Sequence, residues 1–161
     1  MHVRAMRAGD IEPVAALCGQ LGYPSTPAEV AARFQALAAR PANAVFVAEE
    51  DLSGSAATRG GRVIVGWVHV QEVLTLESGP WADLGGLVVN QAAHGHGIGR
   101  RLVEAAEQWA TERGYPEMRV RSNVVRADAH GFYRHLGYEI VKTQLNFRKP
   151  LQSARIDEQR S

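Results

Sequence analysis

The stretch that most restricts this chain begins with an apolar, strand-like segment, Leu84-Gly85-Gly86-Leu87-Val88-Val89. After a short turn it enters His94-Gly95-His96-Gly97-Ile98-Gly99-Arg100-Arg101-Leu102. A strand that breaks into alternating glycines and then opens an amphipathic helix leaves backbone N–H groups unpaired at the helix start, where the helix dipole favours an anion. That is the build of a phosphate cradle. A dinucleotide fingerprint G-x-G-x-x-G started at Gly95 needs glycine where Arg100 stands, and no acidic residue ends the next strand to hold a ribose. A P-loop needs a lysine that this loop lacks. Both readings fail on residues.

Downstream, Arg121-Ser122-Asn123 is followed by Arg126-Ala127-Asp128-Ala129-His130-Gly131-Phe132-Tyr133-Arg134-His135-Leu136-Gly137-Tyr138. It reads as a strand ending in Asn, a short helix carrying Ala-x-x-Phe-Tyr, and a Leu-Gly-Tyr stop. G-x-G-x-G running into Arg100 and Arg101, with this second block behind it, resembles the GNAT superfamily of acetyl-CoA-dependent N-acetyltransferases. The resemblance runs from Val3 to Leu151; the two blocks are specific and the N-terminal third matches only in pattern. It implies one domain over residues 1–152 with a polar tail at 153–161. The implied fold is a mixed, mostly antiparallel sheet of about six to seven strands flanked by about four helices.

The residues, read without that resemblance, also give an α/β chain. Val3 to Met6 reads as a strand, and Asp10 as the N-cap of a helix from Ile11 to about Leu21. Thr26, Pro27 and Glu29 spell the start of a second helix, whose apolar side carries Val30, Phe34, Leu37 and Ala38. Ala44 to Glu49 and Arg62 to Leu74 read as strands around a small, polar, glycine-rich excursion, Asp51 to Gly61, expected to be mobile. Ile98, Leu102, Ala105, Ala106 and Trp109 recur at helical spacing up to Gly114. Met118 to Arg121 gives a fifth strand, and Glu139 to Arg148 a last long strand or hairpin.

Composition sets the limits. A chain of 161 residues, 45% hydrophobic, can fill one core. A net charge of +1 gives no whole-protein reason to expect a nucleic-acid or membrane partner. Cys18, the single cysteine, excludes an intramolecular disulfide and a cysteine-rich metal site. With no apolar leader and no segment of membrane-spanning length, a reduced, cytoplasmic setting is the default expectation. No metal site is expected: His94 and His96 lack a cysteine or carboxylate partner, and His130 and His135 fall poorly on one helical face.

The resemblance assigns roles. Gly95, Gly97 and Gly99 let the backbone approach a pyrophosphate, with donors along His94, Gly95, His96, Gly97, Ile98, Gly99 and Arg100. His94 stands where relatives commonly carry Gln or Arg. The backbone of Leu87, Val88 and Val89 pairs with the pantetheine amides of acetyl-CoA, and an N–H near Val88 or Val89 polarises the thioester carbonyl. Tyr133 protonates the departing thiolate and lies against the cofactor. Asn123 orients cofactor or substrate. Asp83 is the first candidate for the base, with Glu72 and His69 as alternatives, and Gly85-Gly86 stands where many relatives carry polar residues. The acceptor implied is a small amine, of aminoalkylphosphonate or aminoglycoside type. The alternatives are a protein N-terminal or lysine acetyltransferase, or a CoA-binding sensor without turnover. Relatives are often homodimers that pair through sheet edges or last strands.

Overall fold

The computed structural model of the protein describes residues 1–51, 61–122, 125 and 127–151. The chain divides into two compact units, Met1–Arg121 and Ser122–Ser161. The first contains β1 (His2–Ala5), a 3-10 turn (Ala8–Asp10), α1 (Ile11–Gln20), α2 (Pro27–Ala38), β2 (Asn43–Asp51), β3 (Arg62–Thr75) and β4 (Gly79–Val89). A second 3-10 turn (Gln91–Ala93), α3 (Ile98–Glu112) and β5 (Met118–Val120) complete it, and the second unit contributes α4 (Ala127–His135).

The strands form one sheet in the order β1-β2-β3-β4-β5, antiparallel except for the parallel pair β4 and β5. The mixed, mostly antiparallel α/β architecture matches the expectation, but the sheet has five strands among the described residues instead of six or seven. The shortfall lies at Glu139 to Arg148, where the described residues form no strand. Alternating side chains give a segment strand character, but a strand exists only when a neighbouring backbone completes its ladder. The excursion at 52–60 and the tail at 152–161 lie outside the described residues.

Local chemistry explains the helix starts. Thr26 Oγ1 accepts from Glu29 N at 3.2 Å while Glu29 accepts from Thr26 N at 2.8 Å, the capping box its sequence spells. Asp10 occupies the position before α1 but makes no cap bond there. Its carboxylate accepts from Arg7 N at 2.7 Å and from the Arg4 guanidinium at 2.8 and 2.9 Å. Arg4 also reaches Glu49 at 3.0 Å. A two-pronged, charged bond from a half-buried arginine outcompetes the single amide a cap offers.

The sheet has two unlike faces. On one, Val47, Trp67 and Val88 lie in one cross-strand row and pack with Val14, Ala15 and Leu17 of α1 and Val30 of α2. On the other, α3 inserts Ile98, Leu102, Val103 and Ala106, all nearly or fully buried. Gly66 is where the sheet meets α3 most closely. A Cβ there would stand 2.8 Å from Val88 O and 3.0 Å from Leu102 Cδ1, so no larger residue fits without a shift.

Candidate functional site

The site begins with a defect in β4. This strand pairs with β3 from Gly79 to Val89, but with β5 only from Ala82 to Leu84. His69 stands opposite Gly86 and Val70 opposite Leu84, so Gly85 is the extra residue of a β-bulge. Beyond the bulge, β5 gives β4 no ladder. Asn90 N donates to Val65 O at 2.7 Å, and the alternation of an antiparallel ladder then turns the polar groups of Val88 toward β3. Leu87 and Val89 therefore point their N–H and C=O away from β3. His94 marks that outer side, since its Nε2–H donates to Val89 O at 2.9 Å. Of Val88 and Val89, only Val89 directs its N–H away from β3, as does Leu87 two residues before it. An extended arm carrying amides can add to such an edge as a further strand.

The edge leads into the glycine loop. Gly95 and Gly97 have φ of +83° and +74°, and a Cβ at either would meet nothing within 4 Å. Backbone conformation, not crowding, therefore requires glycine at both. Gly97 is the N-cap of α3 and offers no side-chain cap bond. Arg101 N donates to Gly97 O at 3.2 Å, closing the first helical turn. The N–H groups of Ile98, Gly99 and Arg100 precede that bond and project from the positive end of a 15-residue helix. Arg100 is exposed beside them. Donors of this kind suit a pyrophosphate. His96 Nδ1–H donates to Ala93 O at 3.2 Å, so both loop histidines use one ring nitrogen to brace the turn.

Beside the bulge, the face packed by α1 and α2 turns polar. Asn43, Gln71 and Asp83 form one cross-strand row, and His69 lies in the next. Asp83 is 3% exposed and accepts from Arg121 at 3.0 Å and from Gln71 Nε2 at 3.4 Å. His69 Nε2 bonds Asn43 Oδ1 at 3.1 Å. Burial lowers the His69 pKa from its ordinary value, and the Asp83 carboxylate pulls it back in part. Glu72, one residue past Gln71, faces the α3 side, where Tyr115 Oη donates to it at 2.7 Å. Of the candidate bases, Asp83 and His69 thus share a face beside the bulge and Glu72 does not. The sequence reading missed Asn43 and Gln71, whose signal is the alternation of Trp67, His69 and Gln71 along β3.

In the second unit, Tyr133 lies on α4, with its ring edge-on to Phe132 at 5.1 Å and to Tyr138 at 5.6 Å between centroids. Gly137, at φ +92°, ends the helix, and Tyr138 N donates to Tyr133 O at 3.0 Å. Asn123 lies outside the described residues, as does Arg126. Among the described residues, no group of three or more His, Cys, Asp or Glu gathers as a metal site. No described helix is long and apolar enough to cross a membrane.

An open strand edge running into an uncapped, glycine-rich helix start places a backbone acceptor edge beside an anion site. The chain belongs to the acetyltransferase (GNAT) family, whose model matches residues 13–138. Among curated relatives, it is 34% identical over 76 residues to the aminoglycoside N(6')-acetyltransferase type 1 of Stenotrophomonas maltophilia. That match covers 47% of this chain and 50% of the relative, so the chain spans about half the length of that protein. Among solved structures, a putative acetyltransferase from Agrobacterium tumefaciens superposes with a TM-score of 0.75 at 26% identity, covering 92% of this chain and 100% of that one. The aminoglycoside 6'-N-acetyltransferase AAC(6')-Ig of Acinetobacter haemolyticus shares the fold, with a TM-score of 0.77 at 17% identity over 94% of this chain and 100% of that one.

Proposed function

We propose that the chain transfers the acetyl group of acetyl-CoA to a primary amine of a small molecule, by direct attack while both substrates are bound. The observation that carries this reading is the edge of β4 beyond Gly85, which loses β5 and runs into the uncapped start of α3. Leu87 and Val89 pair with the pantetheine amides, and the backbone from Gly95 to Arg100 holds the pyrophosphate. Asn123 orients the bound molecules, as its place in the second block suggests.

The chemistry then follows in order. The acceptor ammonium gives up one proton to a base of the enzyme, for which Asp83 and His69, on the face beside the bulge, are the candidates. The amine attacks the thioester carbon, and the N–H of Val89 donates to the oxyanion of the tetrahedral intermediate. The C–S bond then breaks as the oxyanion re-forms the carbonyl. Tyr133 gives its phenolic proton to the thiolate, and the phenolate takes the second proton from nitrogen. No covalent adduct of the enzyme is required.

The aminoglycoside acetyltransferases among the relatives make a 6'-amine the first acceptor to try, with an aminoalkylphosphonate second. Release of free thiol from acetyl-CoA is followed with an aminoglycoside bearing a 6'-amine, with 2-aminoethylphosphonate and with a lysine peptide. Amine-dependent release with either small molecule is the expected result. Release with the peptide alone moves the acceptor to protein, and saturable CoA binding with no release makes the chain a sensor. Tyr133→Phe is expected to lower kcat by about 10²-fold with little change in acetyl-CoA affinity.

A further inference from the structure

Asp83 is poorly placed to take the ammonium proton, because its Oδ2 already accepts from Arg121 and from Gln71. His69 presents a different arrangement. The Asn43 Oδ1 that bonds His69 Nε2 can only accept, so Nε2 carries the ring proton and Nδ1 carries the lone pair. Nδ1 faces the bulge: a Cβ on Gly85 would lie 2.9 Å from it and 3.5 Å from Cε1. Gly85 therefore leaves open the space over that lone pair. The bulge stands two residues before Leu87 and four before Val89, about 7 and 13 Å along the strand, so the proton passes from the ammonium to Nδ1 through a chain of water.

We propose that His69 is the proton acceptor for the incoming ammonium, with Asn43 fixing its tautomer, Gly85 clearing the space over Nδ1, and Asp83 facing the imidazolium that forms. The proposal rests on the acetyltransferase reading above and names the group that prepares its nucleophile. One N–H bond of the ammonium breaks and the water chain delivers a proton to Nδ1, while the electron pair stays on nitrogen as the nucleophile. The imidazolium later returns the proton to water, so transfer from an ammonium releases one proton overall. The charged and titratable surroundings suit this cycle. Asp83 on β4 bears the nearby negative charge, and Arg121 beyond β5 is turned to Asp83. A half-buried imidazole whose pKa lies below its ordinary value is neutral, and so able to accept, at neutral pH.

The test has two arms. In the first, His69→Gln is assayed with the aminoglycoside and with hydroxylamine, an amine already unprotonated at neutral pH. The expected result is a kcat about 10²-fold lower for the aminoglycoside, recovering as pH rises, a much smaller loss for hydroxylamine, and an unchanged KM for acetyl-CoA. Equal losses with both acceptors, or an unaltered pH profile, overturn the role of His69 while leaving the acetyltransferase reading intact. In the second arm, nitrogen NMR of the wild-type protein reads the imidazole without any acceptor. An Nε2–H tautomer titrating below an ordinary histidine supports the proposal, and an Nδ1–H tautomer or a raised pKa overturns it. If the wild-type protein transfers acetyl to neither probe, the acetyltransferase reading fails by itself and this second arm still decides the state of His69. If His69→Gln does not fold, Gly85→Ala, which places a methyl over Nδ1, carries the first arm with the same expected split between acceptors.

Discussion

The two halves of β4 belong to one strand and stand in opposite situations. From Gly79 to Leu84 the strand is held by β3 and, over its last residues, by β5, and Ala82, Asp83 and Leu84 are 0%, 3% and 4% exposed. From Gly86 to Val89 it keeps β3 alone. The first half is paired on both sides and the second keeps one open edge, and a single extra residue, Gly85, divides them. Open edges are a liability that proteins usually cover. Here the edge is short, and its far end is turned by His94 and Asn90 into the glycine loop.

Proline tests the division most sharply, because it removes one N–H at a chosen position. Val88→Pro removes a donor directed at β3 and is expected to cost roughly 3 kcal/mol of stability, read from denaturant unfolding. Val89→Pro removes a donor directed outward. Its expected effect is near-native stability with kcat lowered by about 10²-fold. Equal destabilisation by the two variants breaks the comparison. Next in size is Gly66→Ala, which crowds Val88 O and Leu102 from the α3 side and is expected to cost about 1–3 kcal/mol in the same unfolding measurement.

The smallest effect is expected far from the edge, at the clamp of β1. The hydrogen bond from Arg4 holds the Asp10 carboxyl below the usual carboxylate range. A depressed folded pKa contributes stability that is present above the unfolded value and is lost as pH falls through the folded one. Thermal melts from roughly pH 6 to pH 3 should therefore show an acid limb that Asp10→Asn flattens, by about 1 kcal/mol. The kcat of the folded fraction should not change with it.

Part of the local geometry was legible in the chain because glycine and capping residues carry their geometry with them. Gly95 and Gly97 adopt the left-handed conformation that only glycine takes readily, and Thr26 with Glu29 forms the box its spacing spells. What was not legible depends on register. Asp83 and Glu72 look alike as strand carboxylates, and only the pairing of β3 with β4 assigns them to opposite faces. The bulge at Gly85 decides what lies beside His69, and no local pattern distinguishes a bulge glycine from Gly86 next to it. Asp10 takes the N-cap position its place in the sequence suggests, but its side chain makes no cap bond because the competing arginine lies back on β1. Glu139 to Arg148 was misread as a strand because alternation says nothing about whether a partner strand is present.

The central claim is that the second half of β4 and the start of α3 together hold acetyl-CoA. Amide exchange measured by NMR with and without acetyl-CoA tests it most directly. The account predicts added protection at Leu87, Val89 and the amides from Ile98 to Arg100, with Val88 already slow in the free protein and β1 and β2 unchanged. Binding that leaves Leu87 and Val89 exchanging as in the free protein would contradict it.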